Sequence, residues 1–473
     1  MKRLHFPLLY CVLAALPIPA QEPAKLAVGS DAQDEMMVTV YNVNYGLVRE
    51  VRHLNLPAGT IELEFRDVAE KIDASSVAFK SQTAPGEVSI LEQNYRYDLL
   101  NPQTLLDKFI GQPIQFQIRK EKEPTPEIID GTLLSTNGGT IVKVGGGIMI
   151  NPPGTVVLSK VPDELLSKPT LIWLLKNAHA GDQKIETSYL TSEMNWKADY
   201  VAIIDANDTK LDLTGWVTLD NKSGATYKNA KLKLVAGDVQ RVPEPMVMAK
   251  ERRAVGAATL AAEDQFAEKS FFEYHLYTLG RATTLANNET KQMTLLEGAD
   301  VPVKKSYVFD STPWTRGAGP RWSEKRKLDV VIEFENKAES HLGIALPKGR
   351  VRVYKADTDG SQQFIGEDMV DHTPRDEKVR LKMGQAFDIV AERAQTDYKQ
   401  LAERLTEMGY SVTIRNHKDE DIEATIIEHA YGDWEVTKES APHKKKDSQT
   451  LEFTVKVPKN GEATVTYSVR VQI

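Results

Sequence analysis

Short segments in which apolar and polar side chains alternate recur along most of this chain. Residues 60–65 show the pattern strictly, with Ile61, Leu63 and Phe65 in phase. Because successive side chains of a β-strand point to opposite faces, this period of two predicts strands with one buried face. Turn residues such as Asn137-Gly138-Gly139 separate the segments and indicate hairpins. The sequence therefore predicts a mainly β protein with antiparallel sheets.

The N-terminal residues have the three zones of a secretory signal peptide. Basic Lys2 and Arg3 precede an apolar stretch over residues 6–16, which is too short to span a bilayer as a helix. Ala20 supplies the small side chain required before cleavage, which we expect between Ala20 and Gln21. We therefore expect an extracytoplasmic protein, periplasmic or secreted, that meets a membrane only during export.

Cysteine content and charge narrow the expected chemistry. Cys11 is the single cysteine and lies in the signal peptide, so disulfides and thiol catalysis are not expected in the mature chain. The chain has 59 basic and 67 acidic residues, a net charge of −8, which argues against a nucleic-acid partner. The basic cluster Lys444-Lys445-Lys446 is interpreted as a solvated turn.

Changes in pattern divide the chain into several segments. Five short strands around glycine-rich turns favour a small, strongly bent barrel of the SH3 or Sm type, whereas later strands have sandwich-like spacing. The predicted segments are a signal peptide (1–20), a polar tether (21–35), an N-terminal antiparallel β domain (36–101), the small barrel (104–162), the first part of a β-sandwich (169–240), a flexible loop (241–269) and the second part of the sandwich (270–473).

Two features leave alternatives open. Residues 393–408 have helix-forming composition, and a short helix and a long polar hairpin fit them equally. Five aromatic residues in the sandwich strands are expected to be core residues, with a surface platform for sugars as the alternative. They are Trp173, Tyr189, Trp196, Tyr200 and Trp216.

Ten short segments together form a distinctive pattern. They are Leu91–Tyr95, Asp98–Leu100, Ser188–Leu190, Trp196–Tyr200, Leu213–Asn221, Asn229–Val239, Leu346–Tyr354, Asn416–Lys418, Gly432–Trp434 and Thr466–Arg470. The pattern resembles a large bacterial family of uncharacterised exported proteins, which carries a domain of unknown function and is grouped with the mucoidy inhibitor A proteins. The resemblance covers essentially the whole mature chain and implies export and a β-rich fold. It implies no catalytic residues, and the long coiled-coil insertion of some relatives is missing here.

Searches for catalytic, cofactor and metal motifs yield no candidate residues. Gly-x-Ser-x-Gly, Ser-x-x-Lys and His-Glu-x-x-His do not occur. His417 and Glu420 form the nearest approach to a metal pair and are interpreted as solvated turn residues. The run Asp357–Ser361 alternates carboxylates, but a calcium loop starting there would need Gly and Glu where Gln362 and Asp368 stand. A hairpin tip is expected instead.

These observations favour an exported, non-catalytic protein whose β domains bind other proteins or cell-envelope components. One alternative is an extracytoplasmic hydrolase acting on glycans or peptides, with carboxylates contributed by several strands. A second alternative is a carbohydrate-binding module, which would require exposed coplanar aromatic rings. No cofactor is expected, and the sequence specifies neither the partner nor the oligomeric state.

Overall fold

The computed structural model describes residues 22–96, 100–119, 125–162, 165–166, 168–237, 266–314, 323–357 and 359–472. The expected cleavage site at Ala20 and Gln21, and residues 241–265 of the expected loop, lie outside the described residues. Within them, thirty strands, one α-helix and three 3₁₀ helices are present, which confirms the mainly β fold class. None of these helices has the length and hydropathy needed to cross a membrane.

The elements of the first half are β1 (Ala24–Val28), β2 (Gln33–Tyr41), β3 (Tyr45–Leu56), β4 (Gly59–Arg66), β5 (Ala78–Ser81), β6 (Val88–Arg96), α1 (Pro102–Lys108), β7 (Pro113–Ile118), β8 (Glu127–Ser135), β9 (Ile141–Val144), β10 (Gly147–Ile150), β11 (Thr155–Val157), β12 (Thr170–Asn177), β13 (Gly181–Ser192), β14 (Met194–Ile204), β15 (Lys210–Asn221) and β16 (Tyr227–Ala236). Those of the second half are β17 (Phe266–Phe271), β18 (Tyr274–Leu279), β19 (Thr283–Leu285), β20 (Glu289–Asp310), β21 (Ser323–Glu335), β22 (Gly349–Ala356), β23 (Gln362–Val370), β24 (Lys378–Ala402), β25 (Leu405–Asn416), β26 (Ile422–His429), β27 (Asp433–Glu439), β28 (His443–Lys445), β29 (Thr450–Val457) and β30 (Gly461–Gln472). The 3₁₀ helices are Ser30–Ala32, Ala74–Ser76 and Ala338–Ser340.

The chain divides into two compact units. Among the described residues, the first contains the residues up to Met36, Val48–Thr191 and Ser223–Ala225, and the second contains Met37–Leu47, Ser192–Lys222 and the residues from Thr226 onward.

A four-stranded sheet in the first unit has the order β1-β4-β12-β6. Strand β1 runs parallel to β4, with Val28 opposite Phe65, so residues 24–28 belong to this sheet and not to the expected polar tether. The buried side chain of Arg52 connects the ends of β1 and β4, and the spacing of residues in the sequence does not reveal this contact. The buried Arg52 guanidinium donates hydrogen bonds to the carbonyl oxygens of Val28 and Arg66, at the ends of β1 and β4.

The small module of the first unit contains α1 and strands β7–β11. Its strands correspond to the five expected from the sequence, and Asn101 and Thr104 form a capping box at the start of α1. The strand order is β10-β9-β8-β7-β11, and no barrel closes among the described residues. Its core is small: Phe109, Ile114, Phe116, Leu133 and Val142.

Two sheets organise the second unit. In one, β17, β18 and β16 follow in order, and β16 pairs in parallel with residues 37–41 of β2. The other has the order β23-β22-β14-β15-β20-β21-β24-β25-β30-β27, with β26, β28 and β29 joined through β20.

Residues 393–408 form a hairpin in the second unit, which settles the alternative left open by the sequence. Strands β24 and β25 pair antiparallel, with Ala402 opposite Leu405. Arg393 and Gln395 of β24 and Thr406 and Met408 of β25 are buried at every second position, so period-two burial outweighs the helix-forming composition of the segment.

Four of the five aromatic residues expected in the sandwich core are at most 2% exposed, and Trp216 is half-buried. These five rings do not form a surface platform for sugars.

Candidate protein-binding surface

The small sheet of the first unit ends in an open edge at β10. Gly147 pairs with Val144 across a two-residue turn, and Met149 pairs with Val142. The backbone N–H of Asn151 donates a hydrogen bond to the Thr140 carbonyl oxygen. In an antiparallel pair, hydrogen-bonded positions alternate with positions whose backbone groups point away from the partner strand. The N–H and C=O groups of Ile148 and Ile150 therefore point out of the sheet, where the described residues place no further strand.

The side chains along this edge are apolar and exposed. Ile148 is 66% exposed and Ile150 is 73% exposed, whereas Met149 between them points to the other face, toward buried Val142. Ile150 lies opposite half-buried Ile141, so the apolar surface continues onto β9. We call Ile148, Ile150 and the outward backbone groups of β10 the β10 edge.

Strand β6, at an edge of the four-stranded sheet, differs from the β10 edge. Leu91 is 52% exposed, but Glu92 follows it, and charged residues on edge strands oppose pairing with other chains. Gln93 of β6 also donates a hydrogen bond to the Ala74 carbonyl and accepts one from the Trp173 indole. The β10 edge has no charged residue among its four positions.

The clearest polar centre of the second unit surrounds Glu428, which is 0% exposed. Its Oε1 accepts a hydrogen bond from Arg393 Nε at 3.0 Å, and its Oε2 lies 3.0 Å from Arg393 Nη2. Oε2 also accepts hydrogen bonds from Ser311 Oγ at 2.8 Å and Trp314 Nε1 at 3.2 Å. All four side chains are buried, so a substrate would have to open the core to reach the carboxylate.

Aromatic rings enclose this ion pair. Arg393 Cζ lies 4.3 Å from the centre of the Tyr410 ring, which stacks on Tyr467 at 5.4 Å. Burial raises the pKa of Tyr410 to about 12 and raises the pKa of Tyr467 well above its ordinary value. Burial alone would lower the pKa of Arg393, but the Glu428 carboxylate together with Tyr467 and Tyr410 more than offsets it, so the guanidinium stays charged. The centre is suited to holding strands together and not to proton transfer.

The first unit contains a similar pair, Glu50 and Arg52, each 1% exposed. Arg52 Nε donates to Glu50 Oε2 at 2.9 Å, and Arg52 Cζ lies 3.6 Å from the centre of the Phe65 ring. Burial raises the pKa of Glu50, and the charge of Arg52 opposes that shift.

A partly exposed ion network in the second unit centres on Asp208, in the turn before β15. Asp208 Oδ2 lies 2.6 Å from Lys305 Nζ, and Asp208 Oδ1 forms a second ion pair with Lys355. Burial tends to raise the pKa of Asp208, but hydrogen bonds from the two lysines more than offset it and hold the pKa below the ordinary value of 3.8.

The two sequence motifs nearest to a metal-binding pattern, Asp357–Ser361 and the pair His417 and Glu420, form local hydrogen bonds and ion pairs in the structure. At Asp357–Ser361, hydrogen bonds from the Ser361 side chain and from its backbone N–H to the Asp359 carboxylate lower the pKa of Asp359, and Gly360 has a φ of 85° in a hairpin tip. The His417 amide donates to the Asp388 carbonyl, while Glu420 lies 3.3 Å from Lys418. The described residues contain no group of three or more His, Cys, Asp or Glu side chains that could hold a metal ion.

The basic run Lys444–Lys446 is engaged in local contacts. Lys445 Nζ lies 4.4 Å from the centre of the Trp434 ring, and Lys446 Nζ lies 2.9 Å from Glu452 Oε1.

Comparison with protein-family models gives one match in this chain. Residues 185–473 match a family described as Domain of unknown function (DUF4139). The chain belongs to the DUF4139 family. The match begins within β13 and includes Arg393, Glu428 and Asp208, whereas the β10 edge precedes it. A search of curated proteins finds no match.

Sequence reasoning missed the β10 edge and both buried ion pairs, although signals for each were present. Pro152 and Pro153 follow Ile150, and proline cannot donate to a strand ladder, which is typical of sheet edges. The buried charges are in phase with apolar residues: Glu428 continues the series of Ile422, Ala424 and Ile426.

Replacing Glu428 by Leu should destabilise the second unit by about 3–5 kcal/mol, because Arg393 would remain buried without its counter-charge. The double variant R393M/E428L should recover most of that loss. Denaturant unfolding of the mature chain, followed by tryptophan fluorescence, measures both effects.

The matched control for this prediction is E392L. Glu392 neighbours Arg393 but is 38% exposed and pairs with Arg415 at the surface, so its loss should destabilise the second unit far less than the loss of Glu428. A double variant no more stable than E428L would contradict the interpretation of the pair.

Replacing Asp208 by Asn should cost about 1–2 kcal/mol near neutral pH, where the ionised carboxylate accepts from both lysines. The native pKa lies below the unfolded value, so this stabilisation is present above that value and is lost as pH falls through the native pKa. The gap between wild type and D208N should therefore shrink below about pH 4 in urea unfolding curves.

D300N provides the comparison, since Asp300 is 66% exposed and pairs with solvent-exposed Lys210. An unchanged D208N difference across the acidic range would show that the carboxylate charge is not the cause.

Proposed function

We propose that this chain is an exported, non-catalytic protein that binds an extended, apolar segment of another protein through the β10 edge. The observation that carries the proposal is the combination of outward backbone groups and exposed side chains at Ile148 and Ile150. Export is supported by the signal-like N-terminal residues, which predict a periplasmic or secreted partner or a protein of the cell envelope. The resemblance to the mucoidy inhibitor A grouping supports the same setting.

Strand addition accounts for both features of the edge. An incoming strand would satisfy the N–H and C=O groups of Ile148 and Ile150 and would lay alternate side chains beside the two isoleucines. Main-chain hydrogen bonds then supply pairing that depends little on partner sequence, and the isoleucines select apolar residues. Burial of an exposed isoleucine side chain contributes about 1.5–3 kcal/mol.

A direct test uses a fluorescent peptide of alternating valine and threonine, flanked by lysines for solubility. The peptide should bind the mature chain in anisotropy measurements, and the same peptide with every amide N-methylated should not. I148K/I150K should weaken binding by at least about tenfold, because charge replaces both apolar contacts.

L91K is the matched control, because Leu91 is also an exposed apolar residue of an edge strand in the first unit. It should leave peptide affinity unchanged. Equal binding of the N-methylated peptide, or equal losses in L91K and I148K/I150K, would exclude strand addition at β10.

Export has its own test. Protein recovered from the periplasmic or extracellular fraction should begin at Gln21 on N-terminal sequencing, and A20D should retain the uncleaved chain because a charged residue blocks the cleavage position. Recovery of the intact N-terminus from the cytosolic fraction of wild-type cells would refute export.

A further inference from the structure

A hairpin of the second unit ends in two exposed phenylalanines. Strands β17 and β18 pair with Phe271 opposite Tyr274, so Phe272 and Glu273 form a two-residue turn. Phe271 is 57% exposed and Phe272 is 81% exposed. We call Phe271 and Phe272 the aromatic tip.

The backbone at the aromatic tip is unusual for its residue type. Phe272 has a φ of 56°, in the left-handed region that glycine, asparagine and aspartate occupy most readily. A two-residue hairpin turn requires positive φ at this position, which is why such turns favour those residues. Phenylalanine therefore makes the turn less stable than asparagine would.

Among the described residues, the contacts of Phe272 do not offset that strain. The Phe272 and Tyr274 ring centroids lie 6.1 Å apart, and most of the Phe272 side chain faces solvent. Strained and exposed apolar residues together indicate a surface whose use lies outside the folded chain.

The charged residues around the aromatic tip indicate whether a binding partner would be recognised by its charge. Lys269 and Glu273, of opposite sign, are the charged residues within two positions of the rings. Farther down the hairpin, Glu268 is paired with His275 at 2.7 Å and with Arg375 at 3.7 Å. Residues 269–274, which form the end of the hairpin, contain no cationic cluster that would select anionic groups, so we expect binding to depend on the rings themselves.

We propose that the aromatic tip inserts Phe271 and Phe272 into the boundary between headgroups and acyl chains of a phospholipid surface. A two-residue turn is convex and narrow, and a fluid lipid boundary can close around such a shape without a preformed pocket. Exposed aromatic and apolar side chains anchor proteins at this depth, and half-buried Tyr274 would lie at the headgroup level. This inference does not depend on the β10 edge, and it replaces the expectation from the sequence that the chain meets a membrane only during export.

The test measures sedimentation of the mature chain with phosphatidylcholine vesicles and with vesicles that also contain phosphatidylglycerol. Wild type should bind both alike. F272N should bind at least about tenfold more weakly, since one inserted ring is lost. Its urea unfolding midpoint should be equal or higher, because asparagine suits positive φ. F272G, which also tolerates that backbone, should behave as F272N does.

F387N is the matched control, because Phe387 is likewise 81% exposed in the second unit but lies in β24, where Lys327 Nζ is 4.1 Å from its ring centre. It should bind vesicles as wild type does. The inference is overturned if wild type ignores phosphatidylcholine vesicles, if F272N binds equally well, or if binding requires phosphatidylglycerol and disappears with added salt.

Discussion

A chain built almost wholly of strands satisfies its backbone hydrogen bonds only by pairing one strand with another. Every open sheet then has two edge strands, each with half of its N–H and C=O groups facing outward. What the molecule can bind therefore depends on how each edge strand is protected. The edge at β6 is limited by the charge of Glu92 and by the hydrogen bonds of Gln93. At β10 the outward groups of Ile148 and Ile150 coincide with exposed apolar side chains, so the edge favours pairing with another chain.

The buried ion pairs also constrain strand pairing, because they fix the register of neighbouring strands. A strand that slips by one residue turns every side chain to the opposite face. For β24, such a slip would expose Ile389 and Ala391 and would also separate Arg393 from Glu428. Removing one charge from its buried partner is far costlier than exposing one small apolar residue. Arg52 has a comparable position in the first unit, where it donates to the ends of β1 and β4 while pairing with Glu50.

Local pattern explains how much of this fold the sequence predicts. Alternation and turn residues anticipate the strands of the small module, the mainly β class and the burial of Trp173, Tyr189, Trp196 and Tyr200. Strand order is not local, so the parallel pairing of β1 with β4 could not be predicted from spacing, and the two prolines after β10 gave only a local signal of the open edge there. The buried charges were predictable in principle from their phase. The positive φ of Phe272 was not, because phenylalanine is a poor indicator of that backbone.

The β10 edge and the aromatic tip expose apolar surface for different physical reasons. At β10 the backbone is regular, and the exposed isoleucines are what any edge strand with an apolar outer face would present. At the aromatic tip, the residue type opposes its own turn geometry, so local folding would favour asparagine at position 272. An exposed apolar residue in regular backbone does not destabilise the local fold. Phe272 is exposed and also weakens its turn, so the requirements of folding do not account for it. Strain therefore distinguishes the tip from Phe387, which is equally exposed but lies in a strand whose backbone suits it.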